Sequence, residues 1–309
     1  MGRRALVTGG AGFIGSHLVR RLLAEGWEVR VLDNLSTGDR GNLDEIREKV
    51  EFLDGDIRDA AAVRSSAAGV DCIWHQAAMA SVPRSVADPV LTHDVNVNGT
   101  LNVLLAARDL EVPRTILASS SSVYGETPVL PKVESMTPEP LSPYAVHKLV
   151  GEQYARQFYL HYGVTTICLR YFNVFGPRQN PDGPYAAVLP RFVERIRAGK
   201  KPLVYGSGKQ TRDFTYVDNA VEANLLATIA QPERVGGRAY NIASGAKITV
   251  LELAEATAKL LGWEGGVEFA PARAGDIEHS HADIGRATTD LGYRPVKTFE
   301  EGLRLTLSS

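Results

Sequence analysis

Two short stretches combine residue types and spacings that can do chemistry. In LSPYAVHKLVGEQ, Tyr144 and Lys148 stand four residues apart, which puts them on one face of a helix, one turn from each other. A free tyrosine titrates near about 10, so a phenolate at neutral pH needs a shift of roughly three units, or about 4 kcal/mol. A lysine ammonium one turn away, with a second cationic group nearby, can supply it by Coulomb attraction in a partly desolvated site. On its own such a pair is common on amphipathic helices, and its weight comes from its company. The other stretch is SSSSVYG, where the apolar run RTILA ends in Ser119 to Ser122. Four hydroxyls at the end of a strand are either loop filler or a substrate contact.

A third pattern lies at the N-terminus. Gly9, Gly12 and Gly15 form GxxGxxG between the first strand-like run and the first helical one. Missing side chains there let backbone N–H groups approach a pyrophosphate at the helix N-terminus. A tight turn is the plain alternative, but the position opening a βαβ unit speaks against it. So does Asp33, 18 residues after Gly15, near the spacing of an acid that accepts from adenosine ribose hydroxyls. An acid there repels a 2′-phosphate, and the following NLSTG holds no cation to attract one. NAD is therefore favoured over NADP.

These residues need a frame. Apolar, β-branched runs (RALVTG, EVRVLDN, VEFLDGD, VDCIWHQAA, RTILASS, TTICLRYFNVFG) alternate with segments of helical spacing (FIGSHLVRRLLAEG, NVNGTLNVLLAARDL, PYAVHKLVGEQYARQFYLHYG). That rhythm implies an α/β fold with a Rossmann-type, doubly wound parallel sheet. Ser142 and Pro143 suit the N-cap and first position of the helix that carries Tyr144. After Gly176 the chain breaks into Pro- and Gly-rich pieces around one helix-like run, as a smaller, loop-built binding lobe would. VDNAVEANLLATIAQ and AYNIAS return to the sheet, and TVLELAEATAKLLG is a further helix. The expected division is 1–175 with 214–247 for NAD, and 176–213 with 248–309 for the second ligand.

Composition narrows the partners. The 34 basic and 36 acidic side chains nearly balance, so no nucleic-acid or other polyanionic partner is implied. No signal peptide and no membrane-length apolar run is visible, and the expected location is cytoplasmic. Cys72 and Cys168 sit in apolar runs as buried thiols, without a role. His279 and His281 form HxH, but no third ligand cluster accompanies them, so no metal is expected.

The glycine pattern, Tyr144, Lys148, the serines before VYG and the segment YFNVFGPRQ together resemble the extended short-chain dehydrogenase/reductase family over nearly the whole chain, nearest to its UDP-hexose 4-epimerases. The resemblance implies NAD as cofactor, a UDP-sugar as substrate and a homodimer. It assigns Tyr144 as general base, Ser120, five residues before the glycine of VYG, as the hydroxyl that orients the sugar 4-hydroxyl, and Lys148 as the holder of the cofactor ribose. Ser122 and Ser81 join the substrate side. Phe13 and Ile14 fall in the glycine turn, Asn34, Ser36 and Gly38 near the adenosine ribose, Asp56 and Ile57 near adenine, and Ala77 and Ala78 along the cofactor path. A plain loop or core role is the alternative for each. Asn96 and Asn173 are polar contacts to cofactor or substrate, unless their turns use them structurally. Arg212 and Arg273 correspond to a diphosphate clamp, which the arginine fork suits; without the resemblance each reads as a surface arginine. Asp276 corresponds to a ribose contact, and Val188, Leu203 and Tyr205 to the frame of the uracil.

In the implied reaction Tyr144 takes the 4-hydroxyl proton, hydride passes from C4 to NAD, and the 4-keto sugar turns over and is reduced on its other face. Relatives that dehydrate or decarboxylate nucleotide sugars carry an acid in the triplet before VYG. Here the triplet is Ser120, Ser121 and Ser122. Ser280 falls where related enzymes carry either a bulky aromatic or a small residue, so room for a 2-N-acetyl group is expected, and both plain and N-acetylated UDP-hexoses fit. A reductase, decarboxylase or dehydratase on the same fold is the alternative enzyme. A non-catalytic dinucleotide-binding protein ranks below these, since Tyr144, Lys148 and the serines are all present.

Overall fold

The computed structural model describes residues 2–180, 188–272 and 278–308. Seven strands form its main sheet: β1 Arg4–Thr8, β2 Glu28–Asp33, β3 Val50–Asp54, β4 Cys72–His75, β5 Arg114–Ser120, β6 Thr165–Tyr171 and β7 Arg238–Ile242. All neighbours are parallel, in the spatial order β7-β6-β5-β4-β1-β2-β3. Strands buried on both faces read as continuous apolar runs, and every residue of β6 is buried. The fold is the α/β Rossmann type that the alternating runs imply.

Helices cover both faces. Along the chain they include α1 Phe13–Ala24, α2 Ala60–Ala67, α3 Gly99–Asp109, α4 Pro143–Tyr162, α5 Val188–Arg197, α6 Val217–Ile229 and α7 Val250–Leu260, with further short ones between and after them. α1 and α6 pack side by side over one core, through Leu18 and Leu22 and the small residues Ala220, Ala223 and Ala227. α2, α3 and α4 close the opposite face. Strand order reverses between β1 and β4, so their carboxyl ends diverge and leave a crevice, the place where open α/β sheets bind ligands. His75 fastens that point: one ring nitrogen is 2.7 Å from Thr8 Oγ1 and the other 2.9 Å from Thr100 Oγ1. Burial pushes its pKa down to about 3, which leaves it a neutral tether rather than an acid.

Two elements differ from the sequence pattern. TTICLRYFNVFG is not one strand, because β6 stops at Tyr171 and Asn173 takes a φ of +29°; Val174–Phe175 then pairs with Thr215–Tyr216. Asparagine tolerates that backbone region better than most residues. The helix expected over NVNGTLNVLLAARDL enters α3 through one wide π turn, Asp94–Asn98. Outside the main sheet, Leu203–Tyr205 pairs with Glu268–Ala270 and Thr211–Arg212 with Ile248–Thr249. The Gly-containing segment KKPLVYGSGKQTRDF is thus tied by short strands rather than left as bare loop.

The turn from β1 into α1 is set by close backbone approach. Gly9 has φ +71°, and a Cβ on it would lie 2.6 Å from the backbone of Ala77. A Cβ on Gly15 would lie 2.1 Å from the Gly9 carbonyl oxygen. Neither neighbour is a flexible side chain that could yield. Gly15→Ala is therefore expected to lower stability by about 1–3 kcal/mol, as overpacking does. Chemical denaturation checks this, and a midpoint equal to that of the unaltered protein would refute it.

Candidate active site

Two clefts, of about 300 and 230 Å³, open beside the carboxyl ends of the strands. The first is lined by Gly9, Gly12, Phe13, Ile14, Gly15, Asp33, Asn34, Ser36, Gly38, Asp56, Ile57, Ala77, Ala78, Tyr144 and Lys148, every residue expected to hold the cofactor except Asn96. Asn173, Val188, Leu203, Tyr205 and Arg212 line the second. Tyr171 faces the first cleft and Asn173 the second, so the break after β6 joins the two.

The first cleft fits a dinucleotide. Gly12 caps α1 with no side-chain hydrogen bond and the first turn holds no acid, which leaves the N–H groups of that turn for an anion. Asp33 stands at the end of β2, and its two oxygens accept from the backbone N–H groups of Ala11 (2.9 Å) and Leu35 (2.9 Å). Those bonds aim the carboxylate and leave lone pairs for ribose hydroxyls. Burial pushes its pKa up, against the two backbone donors. A Cβ on Gly38 would come within 3.2 Å of Asp33 Oδ1, so the loop stays glycine-thin there. Further along, Asn34 Nδ2 donates to Asp56 (2.7 Å), whose pKa the Arg58 guanidinium holds down at about 2.

At the other end lie the residues that could move a proton. Ser142 Oγ accepts from Ala145 N at 3.2 Å and Pro143 follows it, so α4 starts as its sequence indicates, and Tyr144 and Lys148 project from its first two turns. The Lys148 ammonium donates to the carbonyl of Ala118 at 2.7 Å and sits 5.9 Å from the centre of the Tyr144 ring. Burial lowers its pKa to about 8. Tyr144 corrects the electrostatic expectation: burial pushes the phenol up, and the group that opposes this is the nearby hydroxyl of Ser120 rather than Lys148. In the ligand-free protein the tyrosine is therefore a neutral phenol at neutral pH.

Ser120 Oγ also accepts from Ser122 N at 3.2 Å, while the Ser122 hydroxyl is buried with no partner. Asn96 is a correction. Its amide accepts from Met79 N (2.8 Å) and donates to Met79 O (3.2 Å), so it clamps the loop after β4 instead of facing the cleft. The Ser81 hydroxyl caps the helix Val82–Ala87 by accepting from Arg84 N, and like Ser120, Ser122 and Ser280 it is not among the residues lining the two clefts. Arg212 donates to the carbonyls of Thr211 (2.9 Å) and Glu278 (3.3 Å) while lining the second cleft. Ser280 is half-buried and anchored through its backbone N–H to Thr211 O (3.0 Å). Arg273 and Asp276 lie outside the described residues.

Sequence reasoning missed Gln76 and Tyr171, which line the first cleft and hydrogen-bond each other and Asn224. Both stand at the carboxyl ends of strands, β4 and β6, and that position was the signal that could have found them. Among the described residues no cluster of three or more ligating side chains could hold a metal ion, and no helix is long and apolar enough to cross a membrane.

Comparison with known proteins places this geometry. Residues 5–243 match the model of the NAD dependent epimerase/dehydratase family. The chain belongs to that family. Its cofactor is NAD. A UDP-glucose 4-epimerase of Mycolicibacterium smegmatis is 41% identical over 308 residues, 98% of this chain and 97% of the relative. Among solved structures, a UDP-N-acetylglucosamine 4-epimerase from Methanobrevibacter ruminantium, in complex with UDP-N-acetylmuramic acid, superposes with TM-score 0.94 at 38% identity, covering 99% of this chain and 97% of that one. The UDP-glucose 4-epimerase of Thermus thermophilus, in complex with NAD, gives 0.88 at 40% identity, covering 99% and 98%.

The Lys148 ammonium is charged below its pKa of about 8 and neutral above it. With this cation lining the first cleft, NAD affinity is expected to weaken as pH rises through that value and to be flat below it. Titration of NAD-depleted protein at several pH values checks this, and an affinity unchanged between about pH 7 and 9.5 would refute it.

Proposed function

We propose that the chain interconverts UDP-hexoses at C4: UDP-glucose with UDP-galactose, and UDP-N-acetylglucosamine with UDP-N-acetylgalactosamine. The observation that carries this reading is the serine loop beside Tyr144, whose Ser120–Ser122 triplet contains no carboxylate. Elimination or decarboxylation needs a proton carrier or charge stabiliser there, and hydroxyls alone suit reversible removal of a proton at one carbon. The relatives named as 4-epimerases support the same reading.

Bound NAD supplies the acceptor, and then the donor, of the C4 hydrogen with its electron pair. The residues of the chain supply the rest. Asp33 and the first turn of α1 hold the adenosine ribose and the pyrophosphate, and Lys148 holds the second ribose. Tyr144 takes the 4-hydroxyl proton and returns it, while Ser120 orients that oxygen and Ser122 offers a second contact. In the second cleft Val188, Leu203 and Tyr205 frame the uracil, with Asn173 and Arg212 toward the diphosphate. The cofactor part is 1–175 with 214–247, and the sugar-nucleotide part is 176–213 with 248–309. Exposed Val146 and Tyr154 on α4 fit a face that pairs with a second copy of the chain.

Ser280 decides the sugar. Its segment is pinned on both sides, by His279 against Thr211 and by Ala282 against Lys132, so its backbone is held and the size of its side chain sets the space. A serine leaves room for an N-acetyl group.

Incubating the protein with UDP-galactose and UDP-N-acetylgalactosamine separately, without added NAD, and following the C4 configuration by NMR should show both interconverted with no net redox change. Inertness toward both would sink the proposal. Tyr144→Phe should lower turnover about 10²–10⁴-fold, the usual worth of a general base, while NAD still binds; turnover within twofold of the unaltered protein would remove Tyr144 from this role. Ser280→Tyr should suppress turnover of the N-acetylated pair by about 10–100-fold, the scale of a steric pocket change, and spare the plain sugars. Equal loss on both pairs would count against the gate.

A further inference from the structure

Beneath the proposed catalytic face lies a buried ion pair to which no role in the reaction has yet been given. Glu152 follows Lys148 by one helical turn and Tyr144 by two, so the three share one face of α4. Arg170, from β6, meets it in a two-pronged fork: Nε to Oε1 at 2.8 Å and a terminal nitrogen to Oε2 at 2.6 Å. The side chains are only 5% and 7% exposed. An ion pair so far from water is poor evidence of a stabilising role, because desolvation consumes most of its Coulomb energy and apolar residues of the same volume often serve as well. Charges kept at such a position call for another explanation, and their remaining bonds supply one.

Both partners reach into the serine loop, at opposite ends. The Ser119 hydroxyl donates to Glu152 Oε1 at 2.5 Å. Arg170 donates its other terminal nitrogen to the Tyr124 hydroxyl at 2.8 Å, and that hydroxyl donates onward to Asn241 Oδ1 at 2.6 Å. Ser120, Ser121 and Ser122 are strung between these two anchors. Resting on the catalytic roles proposed above for Ser120, Tyr144 and Lys148, we infer that the Glu152–Arg170 pair is a positioning device: its fork holds both ends of the serine loop against Tyr144, and its carboxylate sets the charge that Lys148 meets from the core.

The second half follows from what else faces Lys148. On α4 these are Tyr144, His147 and Glu152; on β4, His75; on β5, the carbonyl of Ala118; on β6, Cys168, with Arg170 behind Glu152. Burial keeps His75 and His147 neutral and the Cys168 thiol protonated. Cys168 and then Glu152 oppose the burial of Lys148; with the thiol kept protonated, Glu152, one helical turn away, is the carboxylate left to favour the ammonium.

Two substitutions separate position from charge. Glu152→Gln keeps the shape and removes the charge; Arg170→Lys keeps the charge and loses the fork. In NAD-free protein, the ionisation of Lys148 can be read from the pH dependence of its modification by an amine reagent, quantified by mass spectrometry. Clamping of the loop can be read from hydrogen exchange of the amides from Ser120 to Gly125. Glu152→Gln should move the Lys148 midpoint down by about a unit, while Arg170→Lys should leave that midpoint in place and speed loop exchange about tenfold or more. Should either variant fail to fold, Ser119→Ala removes one anchor alone and should speed exchange at Ser120 and Ser121. An unmoved Lys148 midpoint in Glu152→Gln, or loop exchange in Arg170→Lys or Ser119→Ala equal to that of the unaltered protein, would overturn the inference. None of these readouts uses a sugar nucleotide, so inertness of the unaltered protein toward UDP-hexoses is a separate result that bears on the epimerase reading.

Discussion

The site depends first on how closely three backbones can approach. Gly9 at the end of β1, Gly15 in the first turn of α1 and Ala77 just beyond β4 touch without side chains between them. That contact points the start of α1 into the crevice where the order of the strands reverses, and it sets how near β4 lies. Asp33 reads its position from the same turn, through the N–H of Ala11. Tyr144 and Lys148 arrive on α4, across the sheet, and line the same cleft only because β1, β4 and β5 are held in register. A wider turn at Gly9 would shift one end of the cleft relative to the other.

Opposing electrostatic effects meet inside this frame. Burial raises the phenol of Tyr144 and lowers the ammonium of Lys148, so the closed pocket by itself favours the uncharged form of each. The surroundings are graded against that tendency. A hydroxyl at Ser120 favours the phenolate, and a carboxylate one turn below favours the ammonium. Nearby titratable groups that could blur the balance, His75 and the Cys168 thiol, are kept uncharged by the same burial. In the ligand-free protein the phenol of Tyr144 is thus uncharged at neutral pH, while Lys148, with a pKa of about 8, keeps its ammonium there.

Much of this was legible in the sequence because short spacings write local geometry directly. Three glycines in seven residues imply a turn, a tyrosine four before a lysine implies a shared helix face, and Ser142 with Pro143 marks where that helix begins. The alternating runs yielded the order of elements for the same reason. What stayed hidden is made by chain segments distant in sequence. Glu152 looks like any acid on an amphipathic helix until Arg170 arrives from another strand. Asn96 has the look of a ligand contact until Met79 occupies its amide from both sides. Gln76 and Tyr171 carried a usable signal in their places at strand ends, but a glutamine and a tyrosine do not advertise it by type. The break at Asn173 could not be seen at all, since a β-rich run says nothing about one residue with positive φ.

The hydrogen bond from Tyr124 to Asn241 spans 117 residues of chain. It has a consequence in the order of synthesis. A growing chain that has emerged just past β4 already contains the glycine turn, Asp33 and Ala77, and by the end of α4 it contains every residue that lines the first cleft except Tyr171. Arg170 arrives with β6, but Asn241, the other partner of Tyr124, is added only with β7, about seventy residues later. The surface of the first cleft is thus laid down early, while the Tyr124 end of the serine loop receives its last partner late, so an incomplete chain carries that cleft before the loop is fully tied.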